Sequence, residues 1–183
     1  MNDEPPRSLV EKATAAFTEH QGSLPEVYRA IVLSPEFVDA SSIRAKFKSP
    51  FEFVISALRA TDAKIDSTRD LLFRLNRMGQ PLYRCEDPTG YFDQTEAWLD
   101  PGVLVHRWDF ALKFTQGRVE GITVPASFYE AWQKKPIAEV REEIARTLVP
   151  EALSERAKVW LTEAKTPAGV VSLVLGMPAF QKQ

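Results

Sequence analysis

Residues able to do chemistry concentrate in one stretch, 79–114, which reads GQPLYRCEDPTGYFDQTEAWLDPGVLVHRWDFALKF. It holds two of the four tryptophans, the single cysteine and one of the two histidines. A loop rich in Pro, Gly, acids and aromatics runs there into an amphipathic helix, an arrangement in which binding and catalytic groups are often found. Its carboxylates, Glu86, Asp87, Asp93, Glu96 and Asp100, raise the question of paired acids, as used in glycoside hydrolysis, or of a calcium loop. The order Asp87-Pro88-Thr89-Gly90-Tyr91-Phe92-Asp93 does not alternate oxygen ligands ahead of its glycine, so a solvated turn is expected and not a calcium site. No serine sits in a G-x-S-x-G setting and no glycine-rich phosphate loop occurs. Neither His20 nor His106 has a second His or Cys at metal-ligand spacing. No catalytic residue, metal or cofactor is expected from these motifs.

What remains in the stretch is binding chemistry. Arg107 falls inside an apolar helical stripe with Val103, Phe110 and Phe114, and a guanidinium buried there stays charged and needs acceptors. Acids and carbonyls of the loop 84–100 are the expected partners, with an anion-binding arginine as the alternative. His106, Asp109, Lys113 and Gln116 fall on the polar face of the same helix, which places His106 in solvent. Tyr91 and Phe92, beside Gly90 at a loop tip, are the aromatic residues expected to be exposed, with Tyr83, Trp98 and Trp108 nearby. Arg84, Tyr91, Phe92, Asp93, Glu96 and Arg107 are therefore the candidate binding residues. Cys85 lies between Arg84, which lowers a thiol pKa, and Glu86 and Asp87, which raise it; an inert, half-buried thiol is expected.

The elements that must position these groups are helices. Pro5-Pro6 precede a helix over residues 7–20 with Leu9, Val10, Ala13 and Phe17 on one face, stopped by Gly22. Ser23-Leu24-Pro25-Glu26 and Ser49-Pro50-Phe51-Glu52 both read as capping boxes with Pro in the first turn. The second opens a helix with the stripe Phe51, Val54, Ile55 and Leu58. Ser67, Asp100-Pro101, Ser127, Pro136, Pro150 and Thr166-Pro167 mark further starts, and Val119 to Pro125 is a connector able to extend. Many of the thirteen prolines thus fall where a missing N–H costs nothing. Strict alternation is nearly absent. The fold expected is all-α, about eight helices with long ordered loops and little or no sheet, as one helical domain over residues 1–183.

Bulk properties narrow the function classes. Twenty-three Lys and Arg against twenty-five Asp and Glu give a net charge of −2, which argues against a general grip on nucleic acid or anionic lipid. One cysteine allows no internal disulfide, so either the cytoplasm or the cell envelope fits. The longest apolar run is too short to span a bilayer.

The pieces DEPPRSLVEKATAAF, VYRAIVLSPEF, AKFKSPFEFVISALRA, MGQPLYRCEDPTGYFDQTEAWLDPGVLVHRWDFAL and SLVLGMPAFQKQ, in that order, resemble the C-terminal part of the bacterial family described as domain of unknown function 1800. That family carries no established activity, so no site residue comes over with the likeness. The resemblance implies a C-terminal fragment of a longer bacterial protein. It also implies a protein partner: the chain's own N-terminal region or another protein, with a sulfatase-like family encoded nearby as one source. The chain departs from the family at LGMPAF, where the family commonly has Ser-Pro-Glu-Phe. The expected function is a helical structural or protein-interaction module, and the alternative is part of a hydrolase with a carboxylate and arginine site at 84–109.

Overall fold

The structure, a computed structural model, describes residues 3–149 and 151–183. It is all-α: ten helices among the described residues, eight of them seven residues or longer, and a single two-stranded sheet. The chain divides into two compact units, Met1–Phe47 with Lys182–Gln183, and Lys48–Gln181.

The smaller unit is built on a helical hairpin. In α1 (Arg7–Glu19) the expected stripe forms, but only Leu9 is buried; Val10 and Phe17 stay about half exposed. Gly22, at φ +85°, ends this helix by donating its N–H to Phe17 O at 2.8 Å. In α2 (Leu24–Val32) the expected capping box does not form. Ser23 occupies the N-cap without a side-chain bond, and Glu26 turns instead to Arg29, 3.3 Å away. Pro35 stops α2 as anticipated by opening a short 3-10 turn, Pro35–Phe37, capped by the Ser34 hydroxyl, which accepts from Phe37 N at 3.2 Å.

Glu36 ties that turn back to α1, accepting from Lys12 Nζ at 2.8 Å and Ser8 Oγ at 2.9 Å. The Lys12 bond, with help from its own backbone amide and Ser8, pulls its carboxyl from 4.5 to about 2. A carboxyl depressed in the folded state contributes stability above its unfolded value and loses it as pH falls toward the folded one. The link is therefore expected to hold at neutral pH and to release between pH 4.5 and about 2. A carboxyl-carbon NMR titration of Glu36 with a midpoint near 4.5 would show that the link is not formed.

The larger unit carries the core. The box at the start of α3 (Pro50–Ala60) forms in full: Ser49 Oγ accepts from Glu52 N at 3.3 Å and Glu52 Oε2 accepts from Ser49 N at 2.8 Å. Its buried face is Phe53, Val54, Ala57 and Leu58, so the expected stripe is rotated and Phe51 is partly exposed. After α3, β1 (Lys64–Ile65) pairs antiparallel with β2 (Ile122–Thr123), Lys64 opposite Thr123 and Ile65 opposite Ile122. The second strand lies in the expected extended connector. In α4 (Arg69–Arg77) Leu71 and Leu75 are buried, and Met78 is buried just beyond, while Leu72 is exposed. Thr68 holds its N-cap position, and Ser67, the expected start, reaches in from outside to accept from Arg69 N at 3.4 Å.

Two of the remaining starts need correction. Ser127 lies within α6 (Ala126–Glu130), whose N-cap is Pro125. Pro150 lies outside the described residues; α8 (Glu155–Leu161) begins after Ser154, which accepts from Ala157 N at 3.3 Å. Trp160, placed on the apolar face of that helix, is about half exposed. Others hold: α5 (Pro101–Thr115) after Asp100, α7 (Ile137–Leu148) after Pro136, and α9 (Pro167–Gly176) after Thr166, which accepts from Gly169 N at 3.1 Å.

The centre of the unit is α9, whose Val170, Val171, Val174 and Leu175 are fully buried, packed against α5 and α7. The short α10 (Pro178–Gln181) returns Phe180 to the core, 6.2 Å edge-on from Phe53. The Tyr129 hydroxyl has no hydrogen-bond partner among the described residues, and burial pushes its pKa up to about 12. Removing an unpaired buried hydroxyl removes its desolvation cost. Tyr129→Phe is expected to leave stability unchanged or raise it by about 1 kcal/mol; a clear drop in melting temperature would mean the hydroxyl is paired.

Candidate functional site

The chemically rich stretch begins where α4 ends. Gly79, at φ +86°, lets the chain reverse, and Gln80 N donates back to Leu75 O at 2.9 Å. Gln80 Oε1 then accepts from Phe51 N at 2.8 Å, which satisfies an otherwise open amide in the first turn of α3. The next four residues form a turn closed by Arg84 N to Pro81 O at 3.3 Å. Tyr83 sits in it at φ +59°, a left-handed conformation that side chains with a Cβ disfavour. Its ring stands fully in solvent, at 104% relative exposure.

Beyond the turn the loop is pinned by its own polar atoms. Asp87 Oδ1 accepts from Thr89 N at 2.9 Å and Thr89 Oγ1 at 2.7 Å, which holds its carboxyl below the usual range. This is the solvated turn expected from the spacing. Tyr91 is not a free loop tip. Its hydroxyl donates to Pro81 O at 2.6 Å, its ring leans on Trp98 at 6.2 Å, and it is half-buried. Burial first, and Cys85 next, push its phenol pKa up. Trp98 is buried and donates Nε1–H to Phe92 O at 3.1 Å, while the Phe92 ring is 69% exposed. Cys85 is half-buried, and Arg84, Asp93 and Glu96 are exposed. Asp100 caps α5, its Oδ1 accepting from Gly102 N at 2.8 Å and Val103 N at 3.2 Å.

Arg107 is fully buried, as its apolar stripe required, but its anchors are not those expected. Nη1 donates to Gln181 Oε1 at 2.8 Å and Nη2 to Lys48 O at 2.7 Å, where the sequence pointed to the loop 84–100. The guanidinium lies over the Phe53 ring, 5.4 Å from its centroid. Gln181 is itself fixed by donating Nε2–H to Leu175 O at 2.9 Å. Desolvation lowers the Arg107 pKa to about 10, partly opposed by the charge of Glu52, so the residue remains a cation at neutral pH. Closed from solvent, it joins the start of α3 to the end of α10 and has no opening toward a ligand. His106, expected in solvent, is half-buried in a small pocket with Arg77, Asp109 and Lys113.

The structure thus separates the six candidates. Arg107 is internal and Tyr91 is a strut, whereas Arg84, Phe92, Asp93 and Glu96 are surface groups. Two features escaped the sequence reading. Tyr83 is the most exposed aromatic of the stretch, and beside its turn Leu72, Phe73, Asn76, Pro81, Leu82 and Arg84 line a shallow groove of about 270 Å3. The signal for Tyr83 was the loop after a helix-stopping glycine; nothing in its residue type announced the left-handed backbone. Asp87 and Asp100 are committed to backbone amides, and among the described residues no group of three His, Cys, Asp or Glu is placed to hold a metal ion. Nor is any helix among them long and apolar enough to cross a membrane.

The fold is all-α, and the described surface of the stretch presents the rings of Tyr83 and Phe92. The chain belongs to the family described as Protein of unknown function (DUF1800), whose model matches residues 1–182. Neither the curated proteins nor the solved structures provide a match.

Proposed function

We propose that the chain is a helical protein-interaction module of a larger bacterial protein or assembly, docking through the turn 81–84 and Phe92. The observation that carries this reading is Tyr83, a fully exposed ring held in a left-handed backbone. Such a conformation costs about 1–2 kcal/mol for a residue with a Cβ, and a ring in solvent returns nothing to the fold. Strain kept at an exposed site is a reason to look for a role outside the fold. Exposed Phe92, Phe73 and Leu72 add apolar area, and aromatic side chains are frequent anchors of protein interfaces. Arg84, Asp93 and Glu96 supply polar groups for a rim. The helical hairpin of the smaller unit supports the same class of function, since Leu24, Tyr28, Val32 and Leu33 are all exposed there.

Tyr83→Asn is expected to raise stability by about 1 kcal/mol, because asparagine tolerates the left-handed region better. Tyr83→Ala/Phe92→Ala is expected to abolish capture of a protein partner while leaving the circular dichroism spectrum intact. The partner to try is the chain's own N-terminal region or a sulfatase-like product encoded nearby. Undiminished capture by a folded double variant would place the docking surface elsewhere. A drop in stability for Tyr83→Asn would show that the ring contributes to the fold after all.

A further inference from the structure

The helix α7 has two faces at work. Val140, Ile144 and Leu148 enter the core, while Ala138, Arg141, Glu142 and Ala145 border a cleft of about 600 Å3 closed on the other side by residues 151–153 and α8. The volume lies within the range of small-molecule sites. The cleft exists because small side chains face it: Ala138 and Ala145, two turns apart on α7, and Ala152 opposite. Leu153 and Leu161 complete an apolar lining. Two turns of helix give the cleft about 10 Å of length.

Charge is placed at its edge. Arg141 donates Nε and Nη2 to Ala164 O at 3.3 and 2.8 Å, and Nη2 also to Thr162 O at 3.0 Å. These carbonyls fix the guanidinium in place without neutralising it. Arg146, five residues on, is exposed; Glu142 lies one turn before it, and its other acidic neighbour, Glu143, is held by Lys135 Nζ at 2.6 Å. Lys158 answers Glu155, 2.7 Å away, and the charge of Glu142. The lining groups thus carry three cations, Arg141, Arg146 and Lys158, against two carboxylates, Glu142 and Glu151.

We propose that this cleft binds an amphipathic anion, a carboxylate head on an aliphatic chain. The chain lies against Ala138, Ala145 and Leu161, and the head is received by Arg141 and Arg146. A guanidinium already immobilised by backbone carbonyls loses little freedom on meeting a carboxylate, and its planar fork suits that group. The site is independent of the surface around Tyr83 and stands or falls separately from it.

The test titrates decanoate into the full chain by isothermal calorimetry, with decanol and acetate as controls. One saturable decanoate site per chain is expected, with acetate silent and decanol weaker by about tenfold or more, the factor expected for losing one charged hydrogen bond. Arg146→Gln should weaken decanoate by a similar factor and leave decanol unchanged. Ala138→Phe, at an exposed position, should abolish decanoate binding without lowering the melting temperature. Arg141 also pins the end of α8, so Arg141→Gln is read only after its fold is checked by circular dichroism. The proposal is overturned if decanoate does not saturate, if decanol binds as tightly, or if Ala138→Phe binds decanoate like the wild type.

Discussion

Arg107→Ala is expected to destabilise the protein by about 3–5 kcal/mol, the range for emptying a large core position and stranding buried polar groups. The loss has two parts. The side chain fills space at the meeting of α3, α5 and α10, against the Phe53 ring. Its removal also leaves Lys48 O and Gln181 Oε1 without the donors that reach them at 2.7 and 2.8 Å. Arg107→Met separates these, since it keeps most of the volume and removes the donors. In a chain of this length the alanine variant should melt roughly 6–20 °C lower. Combining it with Gln181→Ala should cost less than the sum, because the two share one bond. A melting temperature unchanged by Arg107→Ala would mean that the guanidinium points into solvent.

Gly121→Ala should be nearly as damaging, for a different reason. Gly121 has φ +72°, and its carbonyl accepts from Asp66 N at 2.8 Å and Ser67 N at 3.2 Å. A methyl group there would lie 2.5 Å from Ser67 Cβ and 2.8 Å from Ser67 N and O. Backbone on the opposing side cannot step aside as a flexible side chain can. The left-handed penalty and the overpacking together predict a loss of about 2–5 kcal/mol. The damage should centre on the β1–β2 pair and the first turn of α4. Hydrogen exchange at Ile122 and Ser67 that matched the wild type would show that the chain accommodates the methyl group without cost.

What could be read from sequence was local. Ser49, Asp100 and Thr166 cap helices within three residues of themselves, so the pattern contains the whole interaction. Ser23 has the same spelling as Ser49 and fails, because Glu26 turns to Arg29 one helical turn on. The burial of Arg107 was legible from the apolar residues around it on one helix. Its acceptors were not, since they come from 59 and 74 residues away. The strand Lys64–Ile65 is two residues long and owes its existence to a partner far along the chain. Tyr91 and Phe92, adjacent in sequence, part company because one hydroxyl finds Pro81 O and the neighbouring ring finds nothing comparable. The segment Pro178-Ala179-Phe180 keeps its phenylalanine in the core. It carries Ala179 where Pro35-Glu36-Phe37 has Glu36 and the tie to Lys12.

The clamp at Arg107 also bears on how the chain reaches this state. Helical proteins usually fold fast because their contacts are close in sequence. Here the junction that seals α5 is assembled from residues 48, 107 and 181, and Lys48 Nζ reaches Phe180 O across a separation of 132 positions. Closing a loop of that size comes at an entropic cost that only the completed junction offsets. The helices are therefore free to form early, whereas the core waits for residues 180 and 181 to arrive. On a ribosome, a chain halted short of them holds α5 with a charged arginine facing an unfinished interior.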